Sequence, residues 1–143
     1  MVHPTWILAL ATAALACRGE EPVPPVVEGH WEFTEAFADL AHHISCADTG
    51  SYELTQTGAS FAGTYVQRGA CQRPEGPVGN GGHGSVTLGR IVGVTVRFRV
   101  DPYCDYEGRL DGPTPTAVAG ALFCTVTDPV TTYRFSGSWQ ATH

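Results

Sequence analysis

Apolar and polar positions alternate with a period of two through most of the stretch from Gly29 to His143, the spacing of half-buried β-strands. Trp31 and Phe33 point one way, with His30, Glu32 and Thr34 on the other side. Tyr52, Leu54 and Gln56 alternate with Glu53 and Thr55, and Phe61, Gly63 and Tyr65 with Ala62, Thr64 and Val66. In the clearest run, Val92, Val94, Val96, Phe98 and Val100 form an apolar face against Thr95, Arg97 and Arg99. Strands follow around Tyr106–Leu110 and Val118–Val126, and a last one sets Tyr133, Phe135, Gly137 and Trp139 opposite Arg134, Ser136, Ser138 and Gln140.

The pattern predicts an all-β domain of about eight short antiparallel strands, an up-and-down barrel or sandwich. One stretch breaks the period. Phe37, Leu40, Ala41 and Ile44 fall at helical spacing, which predicts a short helix within Glu35–Ile44 after the first strand. The segment from Arg73 to Gly84, rich in Gly and Pro, reads as a mobile loop. Closure into a barrel follows from the ends. Short alternating strands leave two unpaired edges unless the first meets the last, and Trp31 and Trp139 would then pack at one base.

The N-terminus has a different character. Trp6–Ala16 is an uncharged apolar run of signal-peptide length, too short to span a bilayer comfortably. Ala14-Leu15-Ala16-Cys17 resembles the bacterial lipobox, which implies a signal peptide over 1–16 and lipidation of Cys17. A plain secretory signal cut near Ala16 is the alternative. Residues 17–28 then form a lipidated cysteine and a charged, proline-rich tether of at most ~35 Å at ~3.1 Å per residue. The folded domain is expected over 29–143. The implied location is a bacterial cell envelope, the outer membrane favoured over the inner, or the periplasm or exterior without lipidation.

Cysteine arithmetic fits export. The chain has 5 Cys, and lipidation of Cys17 leaves four. Cys46 and Cys71 lie equidistant from the turn-like Gly58-Ala59, and Cys104 and Cys124 are symmetric about Thr114. Residues equidistant from an antiparallel turn face each other, so the symmetry favours Cys46–Cys71 and Cys104–Cys124 disulfides. A zinc site is disfavoured because no two cysteines lie as close as structural zinc pairs do.

Charge narrows the partners. The formal net charge is −6 and all 8 basic residues are Arg, with no basic cluster to neutralise a phosphate backbone, so nucleic acid is excluded as a partner. With 17 Gly spread between short apolar runs, tight turns are favoured over long helices.

Several groups invite chemical readings. His42 and His43 are adjacent, so on a helix they would diverge rather than chelate. Glu32, Glu35 and Asp39 could do acid–base work only if they shared a cleft that split their pKa values. Asp101, Asp105, Glu107 and Asp111 surround Cys104 but lack the order of a calcium loop. Ser136 and Ser138 lack the setting of a nucleophile elbow. No catalytic residue, metal site or cofactor is assigned, and the chain is read as a non-enzyme. The candidates for stacking a ligand at a barrel mouth are Trp31, Tyr65, Tyr106 and Trp139.

Gly29-His30-Trp31 resembles the G-x-W opening of lipocalin- and avidin-type barrels. Leu54–Tyr65, with its Gly58 and Gly63-Thr64, is similar to the Gly-Thr hairpins of those barrels and of many small bacterial lipoproteins. The resemblance implies a membrane-tethered barrel that binds a small apolar or amphipathic ligand. The alternative is a protein-interaction module, such as a secreted-protease inhibitor or an envelope assembly factor. An open interior would favour the first and a filled one the second.

Overall fold

The computed structural model describes Gly19 and residues 22–143; the apolar N-terminal run and Cys17 lie outside the described residues. Nine strands follow in order: β1 (Gly29–Asp39), β2 (Ile44–Thr57), β3 (Ser60–Arg73), β4 (Gly76–Gly79), β5 (Gly82–Val92), β6 (Thr95–Val100), β7 (Cys104–Leu110), β8 (Ala117–Thr127) and β9 (Thr132–Thr142). Eight of them close into an antiparallel up-and-down barrel, each pairing with the next in the sequence, and β4 adds to the outer end of β3. Closure joins β1 to β9 from Glu32↔Thr142 to Ala38↔Ser136, so neither strand is left as an open edge.

No helix forms between β1 and β2. The period of two continues through Glu35, Phe37 and Asp39, and β1 is paired on both sides as far as Ala38. A helix there would leave both neighbours without partners, an outcome that costs more than local spacing can return. The helical spacing arises by accident. Phe37 faces inward from the strand, Leu40 lies in the turn at 84% exposure, and Ile44 opens β2. The inward acids Glu35 and Asp39 disguise the strand period.

Two further expectations are corrected. Arg73–Gly84 is an ordered hairpin: β4 pairs back on β3 from Arg73↔Gly76 to Ala70↔Gly79, and β5 begins at Gly82. Val92 does not share the face of Val94–Val100. It ends β5 at 76% exposure, and Gly93, at φ 61°, turns the chain into β6. A bulge at Leu88, φ 55°, adds one residue to β5 against both neighbours. Inward positions therefore run Gly84 and Val86 before the bulge, then Gly89 and Ile91 after it.

The two ends of the barrel differ. At the base, with the β2–β3, β5–β6 and β7–β8 turns, the interior is filled. Trp139 sets its ring edge-on to Phe98 at 5.3 Å, and Phe98 stacks on Tyr106 at 4.9 Å. Trp31 and Trp139 both enter this core, 2% and 3% exposed, and a void of about 20 Å³ remains among the side chains. The Trp139 indole fits because β7 and β8 pair Gly108 with Gly120 beneath it; a Cβ on Gly108 would come within 2.7 Å of the ring.

The last residues of the proline-rich segment join this core. Pro25 and Val27 are buried, Gln56 donates to the Pro25 carbonyl at 2.9 Å, and the Trp31 indole donates to the Val27 carbonyl at 2.9 Å. The chain thus enters the domain across the closed base.

Candidate functional site in the open half of the barrel

At the opposite end, framed by the β1–β2, β3–β5, β6–β7 and β8–β9 connections, the interior is open. A cavity of about 490 Å³ runs from the mouth down to Glu35 and Tyr106, within the size range of ligand-binding pockets. Volume is left where Gly81 and Gly82, which carry no side chains, line the cavity at the start of β5, while the Tyr65 ring lies against Gly84. Aromatic rings line the walls. Phe37 and Phe135 meet edge to face at 5.7 Å, and Tyr133 stacks beside Phe135 at 6.5 Å.

Both disulfides form and both face this cavity. Cys46 pairs with Cys71 across β2 and β3, and Cys104 with Cys124 across β7 and β8, each in directly opposed register. They brace the two sides of the mouth, and Cys46 and Cys71 pack there with Ile44 in a small apolar cluster against Phe37, Tyr133 and Phe135. The turn symmetry that favoured these pairings is the register of the hairpins themselves: Thr57 faces Ser60, and Leu110 faces Val118.

The floor is polar and acidic. Glu35, 5% exposed, accepts a hydrogen bond on Oε2 from the Tyr106 hydroxyl at 2.7 Å. Burial raises its pKa to about 7; the Tyr106 bond opposes that shift and the Asp48 charge adds to it. The Tyr106 phenol is itself pushed far above its ordinary value, chiefly by burial. The Tyr52 hydroxyl is raised well above its ordinary value by burial and by the Glu35 charge. The neighbouring Tyr106 phenol pulls the other way, yet among the described residues no atom meets the Tyr52 hydroxyl in full hydrogen-bond geometry.

Asp48 faces Glu35 across β1 and β2. Its Oδ2 accepts from Gln67 at 2.9 Å and Asn80 at 2.5 Å, and its Oδ1 is buried without a partner. Burial lifts its pKa to about 6, against the pull of those two bonds.

The other candidates are dispersed. Of the three acids near the first strand, Glu32 points outward, where His30 bridges it at 2.6 Å and also contacts Glu53. Asp39 sits near the rim and accepts from His42 Nδ1 at 2.8 Å and from the Arg134 N–H at 2.8 Å. Burial raises its pKa, but those hydrogen bonds outweigh it and leave the group lowered. Only Glu35 of the three reaches the cavity floor. His43 is exposed in the turn, while the His42 ring lies 4.8 Å from Tyr133.

The four acids around Cys104 do not converge. Asp105 and Glu107 pair outside the barrel with Arg99 at 2.9 Å and Arg97 at 2.8 Å, Asp111 caps Thr116 at the base, and Asp101 borders the mouth. Among the described residues no three His, Cys, Asp or Glu side chains gather as a metal site would require. Ser136 and Ser138 face outward on β9.

Of the four proposed stacking residues, Tyr65 and Tyr106 line the cavity, whereas Trp31 and Trp139 belong to the filled base. Neither Glu32 nor Asp39 joins Glu35 at the floor for acid–base work, and the signal in the sequence for its place is an inward position in an alternating run. No protein-family model, curated protein or solved structure matches the chain.

Proposed function

We propose that the protein is an exported, non-enzymatic binding protein that holds a small amphipathic molecule in the open half of its barrel. The observation that carries this reading is the asymmetry of the interior. One half is packed to a void of about 20 Å³, and the other opens into a cavity of about 490 Å³ between aromatic walls and a buried polar floor. A barrel that needed its interior only for stability would gain by filling both halves, since lost packing contacts cost stability. An apolar body suits the walls, and one polar group suits Glu35 and Tyr106.

Lipidation at Cys17 and attachment to a bacterial envelope membrane complete the proposal. Two disulfides accord with an oxidising compartment. Because the chain enters across the closed base, a membrane anchor upstream would leave the mouth free to face away from the bilayer. A protein-interaction role draws on a smaller feature, the exposed Leu88 and Phe123 on the outer wall.

Native mass spectrometry of the full chain, purified with both disulfides intact and offered a panel of small amphipathic molecules, tests the proposal. A reproducible adduct of one small molecule per chain is expected. Bare chain throughout the panel would overturn it.

A further inference from the structure

We propose that the cavity selects an organic cation: an apolar or aromatic body carrying one protonated amine that seats on the Glu35 carboxylate. The inference names the ligand class for the binding role above and rests on that reading.

The floor offers acceptors and lacks cationic donors. Among the described residues Glu35 takes one hydrogen bond, on Oε2, and no donor reaches Oε1. The Tyr52 hydroxyl, on a side chain only 3% exposed, lies beside it unpartnered. The titratable groups facing Glu35 are Asp48 and Tyr52 from β2, Tyr65 from β3 and Tyr106 from β7, and none can supply a positive charge. At the mouth Asp101 and Asp128 add two acids, and Arg73 is the one cation among the lining residues, at the far end of β3 from the floor.

A buried carboxylate without a cationic partner is costly to ionise, and a bound ammonium supplies the missing charge and hydrogen bond together. An anion placed there would meet like charge where screening is weak. The walls act in the same direction. Tyr65, Tyr106 and Phe37 line the cavity, and aromatic rings attract a cation through their quadrupoles and pack against a flat apolar body. A neutral apolar ligand would use the walls and leave the floor unpaired.

Three probes that share an indole body separate charge from shape: tryptamine, tryptophol and indole-3-acetate, titrated calorimetrically into the full chain at pH 8. The expected order is tryptamine, then tryptophol, then indole-3-acetate, with the first step about tenfold or more, as for a charge-assisted hydrogen bond in a buried site. Lowering the pH to 6 protonates Glu35 and should weaken tryptamine about tenfold, leaving tryptophol unchanged. Glu35→Gln should bring tryptamine to the affinity of tryptophol, and tryptophol binding shows that the variant's cavity is intact. Should that variant fail to fold, the pH series on the unaltered chain decides the matter. Equal affinity for the three probes would overturn charge selection and leave the binding cavity standing. Preference for indole-3-acetate would assign selection to Arg73 and overturn the inference. No binding by any probe would overturn the cavity reading itself.

Discussion

Removing the ionisable group at the floor should flatten the pH dependence of stability. Glu35 is held at a pKa of about 7, against 4.5 for an ordinary glutamate, mainly because burial disfavours its charged form. Between those values the folded chain keeps a proton that the unfolded chain has released, so stability falls as pH rises through that window. Integrating the two titrations from pH 5 to pH 8 gives a loss of about 2.5 kcal/mol from this one group. Glutamine at the position cannot ionise, and its carbonyl still accepts the Tyr106 hydroxyl proton. Asp48, raised to about 6, acts in the same direction but is present in both proteins. Urea denaturation of the chain and of Glu35→Gln at pH 5 and pH 8, with the disulfides intact, measures the difference directly. The variant should gain about 2.5 kcal/mol relative to the parent between those two pH values. Parallel pH profiles would refute the reasoning, because they would mean that Glu35 ionises in the folded chain as easily as in water.

Other expectations follow from the base, the mouth and the N-terminus. Gly108→Ala should destabilise the barrel by about 1–3 kcal/mol, because its new Cβ overlaps the Trp139 ring, and tryptophan fluorescence should report the displaced indole. Cys46→Ala and Cys71→Ala should each lose about 3.5 kcal/mol in chemical denaturation, the value expected for closing a loop of that length, and the double variant no more. Additive, unequal losses would contradict the pairing. Cys17→Ser should release the protein from the membrane fraction while circular dichroism shows the barrel unchanged; unaltered fractionation would contradict lipid anchoring.

The strand period carried most of the fold, because inward and outward positions differ in polarity wherever the interior is apolar. Val94–Val100 and Tyr133–Trp139 are plain examples, and the turn symmetry of the cysteines located both disulfides. The period is lost where polar side chains, or glycines with none, occupy inward positions. Glu35 and Asp39 broke the apolar period of β1 and suggested a helix. Glycines at inward positions of β5, with the Leu88 bulge shifting its phase, hid the period of that strand, and its first residues, Gly82–Gly84, fell within the expected loop. The candidate site was half legible for the same reason. Aromatic residues were visible as candidates, but whether a ring fills the base, as Trp31 and Trp139 do, or lines a cavity, as Tyr65 and Tyr106 do, depends on its height in the barrel. That height follows from the register and stagger of all eight strands, which no single stretch of sequence contains.

The central claim is that ligand enters the open half beneath the disulfides. Its most direct test is a fluorescence titration with the neutral apolar dye N-phenyl-1-naphthylamine, which brightens in apolar surroundings. The full chain should bind one dye saturably, and Val126→Trp, which places a large ring into the cavity from β8, should abolish that binding. Phe123→Ala, on the outer wall, should leave it intact. If the dye binds Val126→Trp as it binds the parent, or is lost with Phe123→Ala, the binding surface lies outside the barrel and the account is wrong.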